Sequence, residues 1–419
     1  MLELPAKGSF FSERFLRRGI FAEREMIYLD NSSTTRQYDE VTDLMAETAR
    51  EEFGNPSSLH SLGFNASKVT DEGRKRVAKC FYGSGDVIFT SGGTESDNTA
   101  LLSTCRKFGK RCKRVITTNV EHPAVLETCK VLEDEGFEVI RLEADVDGYV
   151  EPQQIKAALS EETILVSVMS VNNEVGTIEP VVPAFRTVKD FNRKNGTHVL
   201  FHTDAVQAFG KLSFEDADFD MISVSAHKLH GPKGIGAMYL SKDAKIPPYI
   251  VGGGQERGMR SGTENVPGIA GFGLAAEKAC SNIFEKCKKM GEVNDYLRKG
   301  LMDSLDSIVV NGPEELGYSL LDYGKRCPSV LNISFLGTRG EVLLHKLEQD
   351  GIFVSTGSAC SSNKSGTSHV LRAMRLNRDE IDGAIRFSLS EFNTIEEMDI
   401  VIDRVKEAVT TFRRLGRHQ

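Results

Sequence analysis

Between residues 85 and 240 the chain alternates short apolar runs with longer stretches of helical periodicity. Candidate strands cover 86–90, 114–118, 138–141, 164–168, 198–202, 221–224 and 236–240, with helices expected between them, for example over 123–136 and 151–159. Several of these strands are apolar throughout instead of alternating, as strands covered on both faces are. Strand and helix in turn predict a mainly parallel α/β sheet with right-handed crossovers. After the glycines at 252–254 the texture changes. A long helical run covers 267–305, followed by strands at 329–335 and 384–389 and helices at 341–350 and 395–415. That succession predicts a second, smaller α+β domain. We expect a segment 1–39 packing on the small domain, a large domain over 40–283 and a small domain over 284–419.

Candidate chemistry gathers just after the strands. The stretch 90–98 (TSGGTESDN) follows one strand and opens a helix. Glycines there let backbone approach an anion, and exposed N–H groups at a helix start bind phosphate. Gly93 and Thr94 are the expected donors, although an ordinary capped turn reads the same way. Lys228 sits between two histidines in a turn of small residues over 224–234 (VSAHKLHGPKG). A lysine held at a strand end in a cleft can form a Schiff base with an aldehyde cofactor; a solvated turn lysine is the plainer reading. Ser225 and His227 flank it as further phosphate contacts. Asp204, in 202–207 (HTDAVQ), ends a strand that should lie beside the one leading to Lys228. A carboxylate there can keep a pyridinium nitrogen protonated, and Gln207 can donate to a phenolic ring oxygen. His122 is placed to stack on a ring and move protons near neutral pH; a satisfied structural histidine is the plainer reading, as a helix N-cap is for Asp204. Asn173 again follows a strand. Open α/β sheets bind ligands beyond their strand carboxyl ends, and five candidate groups fall there.

Composition narrows the picture. A 419-residue chain that is 40% hydrophobic and 27% charged can bury a large core. A net charge of −8 gives no nucleic-acid footprint. No apolar run approaches the ~18 residues of a membrane span. Glu13, Glu23 and Glu25 argue against a transit peptide within the first 25 residues, because such peptides are poor in acids. A cytoplasmic location is expected. Eight cysteines without a CxxC pair fit a reducing compartment. Cys360 differs from the others: its neighbours over 355–368 are nearly all small and polar, which suits a reactive thiol on a mobile tether.

Together these segments resemble the cysteine desulfurases, within the class V aminotransferases of pyridoxal-phosphate fold type I. The likeness runs from about Tyr28 to Leu415. It includes 28–35 (YLDNSSTT), 53–57 (FGNPS), 90–98, 171–176 (VNNEVG), 227–234, 252–263 (GGGQERGMRSGT), 355–360 (STGSAC) and 385–388 (IRFS). It implies a fold type I transferase with a seven-stranded, mainly parallel sheet, using pyridoxal 5'-phosphate. Lys228 resembles the lysine that carries the cofactor. Asp204 then faces the pyridine nitrogen, Gln207 the ring oxygen and His122 the ring face. Gly93, Thr94, Ser225, Ala226 and His227 surround the phosphate. Thr263 resembles a residue that reaches the neighbouring subunit's phosphate, which implies a homodimer. Asn173 and Arg386 are implied as holders of the substrate carboxylate. Cys360 resembles the cysteine that takes sulfur from L-cysteine as a persulfide, leaving L-alanine. It is also the one implied metal contact, if an iron–sulfur cluster is handed over. A protein sulfur acceptor is implied, an iron–sulfur scaffold or a transfer-RNA thiolation enzyme, without a membrane or direct nucleic-acid partner. Cysteine against selenocysteine as substrate stays open.

Overall fold

The computed structural model describes residues 26–110, 112–214, 218–356 and 367–416. β1 (Ile27–Tyr28) is followed by α1 (Asp39–Glu51) and α2 (Ser61–Ala78). The alternating part runs β2 (Asp86–Thr90), α3 (Gly93–Phe108), β3 (Arg114–Thr118), α4 (Pro123–Asp134), β4 (Glu138–Leu142), α5 (Pro152–Ala158) and β5 (Thr163–Ser167). It continues through α6 (Val181–Asn195), β6 (Leu200–Asp204), β7 (Met221–Ser225) and β8 (Gly236–Leu240). Next come α7 (Val266–Cys280), α8 (Ile283–Ser304), β9 (Ile308–Asn311) and β10 (Val330–Phe335). The chain closes with α9 (Gly340–Gln349), β11 (Ile352–Phe353), α10 (His369–Ala373), α11 (Arg378–Asp382), β12 (Ala384–Ser388) and α12 (Ile395–Gly416).

Seven strands form one sheet in the order β2-β8-β7-β6-β5-β3-β4. β8 runs antiparallel to both its neighbours, and the other pairs are parallel. Every residue of β5, β6 and β7 is buried, as a central strand covered on both faces requires. Two apolar cores accompany this sheet, one holding Val166, Phe201 and Phe272 and the other Leu101, Val115 and Leu165. A third core lies apart, built from Leu297, Leu331, Phe387 and Val405. It belongs to α8, α12 and the antiparallel sheet β12-β10-β9. β1 pairs in parallel with β11, so the start of the described chain packs into this third core through Ile27 and Leu29. Limits of 1–39, 40–283 and 284–419 stay our proposal for the domains.

Two expected elements move. The strand placed at 198–202 occupies Leu200–Asp204. The Asn192 side chain both accepts from the Val199 N–H at 2.8 Å and donates to its carbonyl at 2.9 Å, so Val199 is tied to the preceding helix instead of the ladder. The helical run 267–305 breaks in two at Asn282, whose φ of 50° ends any helix. Asparagine tolerates that left-handed conformation better than most residues.

Candidate active site

A cavity of about 230 Å³ opens beyond the carboxyl ends of β2, β3, β5, β6 and β7. Ten of the residues singled out in the sequence line it: Gly93, Thr94, His122, Asn173, Asp204, Gln207, Ser225, His227, Lys228 and Arg386. The parallel strands bring nine of them together from five separate loops. Arg386 arrives from β12 in the other sheet.

Each group is held by its local chain. α3 begins at Gly93 behind Gly92, which has no side chain to cap the first turn, so its N–H groups are left for a ligand. A Cβ at Gly93 would meet Val206 Cγ2 at 2.7 Å, so any side chain there would have to displace Val206. His122 caps α4, with Pro123 pre-set for the first helical position. Its Nδ1 accepts from the Ala124 N–H at 3.1 Å, which leaves the ring proton on Nε2. Burial lowers its pKa, with the nearby Lys228 acting the same way and Asp204 opposing. Asp204 is the last residue of β6 and accepts from the Val206 N–H at 2.9 Å. Burial raises its pKa, while His122 and Lys228 pull it back toward the ionised form. Lys228 ends a short 3₁₀ turn after β7 and donates to the carbonyls of Ser32 and Ser33 at 2.6 and 2.8 Å. His227 bonds Thr34 Oγ1 at 3.2 Å through Nδ1, and its pKa is pushed down to about 4, mainly by burial.

Arg386 is almost wholly buried. Its Nη1 donates to the Asn173 carbonyl at 2.9 Å, and its Nη2 donates to Asp30 Oδ1 at 2.9 Å and Ser33 Oγ at 2.7 Å. The Asn173 backbone therefore orients the guanidinium. Three buried polar atoms on residues of the cavity wall have no hydrogen-bond partner: Ser32 Oγ, Asp97 Oδ1 and Arg386 Nε. Unmet polar atoms gathered on one wall are the mark of a ligand site. The donor set, with the Lys228 amine, the Asp204 carboxylate, the His122 imidazole and a glycine-started helix, fits a phosphorylated pyridine aldehyde.

Some expected residues lie elsewhere. Ala226 is buried behind the wall and does not line it. Thr263 is exposed on the loop before α7, outside the cavity. Cys360, with both its persulfide and its metal reading, lies outside the described residues. Among the described residues, no group of three His, Cys, Asp or Glu side chains could hold a metal ion. Likewise no described helix is long and apolar enough to cross a membrane.

The sequence reading passed over Ser32, Asp97, Met169, Val171 and Val206, which complete the lining. Asp97 and Ser32 had a signal, since both stand inside motifs already quoted. Val171 and Val206 stand inside quoted stretches too, but nothing there separates a wall methyl from a core methyl, and Met169 lies outside them all. Asp97 is buried beside His202, with Oδ1 at 3.5 Å from Nε2. His202 is occupied by the hydroxyls of Ser167 and Ser223 at 2.8 and 2.9 Å, and burial pushes its pKa down to about 3. It is thus neutral, and Asp97 has no cation to keep it ionised. Burial, with the nearby Asp204, raises the Asp97 pKa well above the carboxylate range.

The family described as Aminotransferase class-V matches residues 27–401. The "Cysteine desulfurase IscS" of Clostridium botulinum is 41% identical over 395 residues, covering 94% of this chain and 96% of that protein. A solved structure, "NIFS-LIKE PROTEIN", superposes with a TM-score of 0.83 at 40% identity, covering 92% of this chain and all of the other. Another, "SspA in complex with cysteine", gives 0.73 at 29% identity, covering 88% of this chain and all of the other. A likeness of this depth over nearly the full length places the chain in the class-V aminotransferase family, among its cysteine desulfurases.

Proposed function

We propose that the chain takes sulfur from L-cysteine with pyridoxal 5'-phosphate in the described cavity, and holds it as a persulfide on Cys360. The reading rests on one observation: the amine of Lys228, the carboxylate of Asp204, the imidazole of His122 and the guanidinium of Arg386 share one cavity. The likeness to a solved relative whose name includes bound cysteine supports the substrate.

When bound, the cofactor supplies a ring that withdraws electrons from the substrate α-carbon. The protein does the rest. Lys228 Nζ supplies the amine that secures the aldehyde and, once released, a base for the α-proton. His122 stacks on the ring and shares that proton work through Nε2. Asp204 faces the ring nitrogen, where a positive partner offsets its burial and keeps it ionised. Gln207 donates to the ring oxygen. Gly93, Thr94, Ser225 and His227 surround the phosphate, and Thr263 reaches it from the second copy of a homodimer. Arg386, steadied by Asn173, holds the substrate carboxylate. The Cys360 thiolate attacks the substrate sulfur. A sulfur–sulfur bond forms, the carbon–sulfur bond breaks with its electron pair going to carbon, and protonation there yields L-alanine. The persulfide passes to a protein acceptor in iron–sulfur assembly or transfer-RNA thiolation, in the cytoplasm.

The test is alanine and sulfide release from cysteine by chain loaded with the cofactor. Lys228→Ala is expected to lose the visible absorption band and alanine release. Cys360→Ser is expected to keep the band and lose the persulfide. Full turnover by the Cys360 variant overturns the sulfur-transfer role, and loaded wild type that makes no alanine overturns the whole reading.

A further inference from the structure

Lys211 lies behind the cavity wall, one turn beyond Gln207, and no role above uses it. Its ammonium is buried and donates to Gln207 Oε1 at 3.0 Å. Gln207 Nε2 donates to the Ser32 carbonyl at 3.0 Å. That carbonyl also accepts from Lys228 Nζ at 2.6 Å. An ammonium can only donate and a carbonyl can only accept. The two partners therefore impose the same orientation on the amide: oxygen toward Lys211, NH₂ toward Ser32 and the cavity that Gln207 lines. One N–H of that group is used by Ser32, and the other is left for a ligand.

The setting makes this contact stronger than an ordinary amide bond. Lys211 shares a small cavity of about 30 Å³ with Lys228 and His230 from the β7–β8 connection, Lys286 from α8, and Glu391 from the chain after β12. Arg386 adds a positive neighbour, while His227, its pKa about 4, is neutral. Lys211 is thus a buried cation whose hydrogen bond goes to a neutral amide, with Lys286 of the same cavity already paired with Glu391. Burial brings its pKa down to about 8, so the charged form persists at neutral pH. A hydrogen bond to a charged donor is strengthened in a low-dielectric interior and polarises the next bond in its chain.

We propose that Lys211 is a positioning residue, fixing the orientation of the Gln207 amide and polarising it so that its NH₂ group is a stronger donor to the cofactor's ring oxygen. This rests on the cofactor reading given above. A weaker donor leaves the ring oxygen more basic and so raises the pH at which the lysine-bound cofactor loses its proton.

The experiment is a pH titration of the visible absorption band in loaded wild type, Lys211→Met, Lys211→Arg, Gln207→Ala and the Gln207→Ala/Lys211→Met double variant. Lys211→Gln is measured beside Lys211→Met, since a polar end group is easier to bury. Loss of the charged bond is expected to raise the midpoint by about one pH unit. Lys211→Arg is expected to restore it. In the Gln207→Ala background the lysine change is expected to add nothing, because the effect runs through the amide. An unmoved midpoint in both neutral variants overturns the proposal. So does a shift of equal size without Gln207, which assigns the effect to the bare field of the charge. A wild type that forms no visible band removes the cofactor reading itself, and the proposal with it; a band that is present but indifferent to Lys211 sinks the proposal alone.

Discussion

Glu121 is fully buried one residue before His122. Its Oε1 accepts from Thr118 Oγ1 and from the Met169 N–H, both at 2.9 Å, and its Oε2 has no partner. Those bonds favour the ionised form, yet burial outweighs them and pushes the pKa up to about 8. Glu174, beside Asn173, is raised to about 7 for the same reason, with Ser368 and Arg386 opposing. A carboxyl with a raised folded pKa keeps its proton in the native state while the unfolded chain has lost it. Its contribution is fully present below about pH 4.5 and is lost as pH rises through the folded value. Glu121→Gln is therefore expected to flatten the decline of stability between pH 5 and 8, by up to about 1.4 kcal/mol per pH unit. Urea midpoints across that range check it, and a variant that declines as steeply as wild type counts against a protonated Glu121. Arg386 makes a different prediction. Arg386→Lys keeps the charge but loses the fork, so KM for cysteine should rise roughly ten- to a hundredfold with a smaller change in kcat. Steady-state kinetics on alanine release would show it; an unchanged KM removes Arg386 from substrate binding.

At the level of elements, close packing of backbone sets the frame. α2 and α7 meet through glycines: a Cβ at Gly273 would lie 2.7 Å from Gly73 Cα, and one at Gly73 would lie 2.7 Å from the Ile269 carbonyl oxygen. Both obstacles are backbone, which cannot rotate away. Gly273→Ala is expected to cost about 1–3 kcal/mol in a urea melt, the usual cost of overpacking. A loss within error would mean that the helices slide apart freely. The break between α7 and α8 depends on Asn282 in its left-handed conformation. Asn282→Ala should cost about 1 kcal/mol and Asn282→Gly should be neutral or mildly stabilising. An alanine variant as stable as wild type would show that the joint does not need that conformation.

Across the whole molecule, the site is a joint between two bodies of structure. The large sheet supplies the amine, the carboxylate and the imidazole, and β12 supplies the guanidinium. Asn31 and Ser32 tie the N-terminal stretch to Ser388, while Glu391 takes Lys286. Thr263 stands outside this joint, exposed, so its proposed contact needs a second copy. Large exposed apolar side chains, among them Phe53, Leu59, Phe64 and Val251, leave surface for such a partner. Sedimentation should give a species of two chains. Mixing Lys228→Ala with Thr263→Ala chains and letting subunits exchange should restore a site that has both residues, and so part of the alanine release. A monomeric wild type, or no recovery on mixing, rules out the shared site.

The sequence by itself determined the strands of the large sheet to within about two residues, because several of them are apolar runs covered on both faces and the turns after them are small and polar. It also determined which chemical groups stand after strand ends, since Lys228, Asp204 and His122 each follow an apolar run too short to be a helix. Only the tertiary structure decided what stands behind them. Whether Asp97 has a cation, or whether Ser32 turns its carbonyl toward Lys228 and Gln207, depends on distances between residues more than a hundred positions apart. No local pattern records such distances. Burial likewise belongs to the assembled core: Glu121 and Glu174 look like ordinary surface acids until packing removes their water and moves their protons.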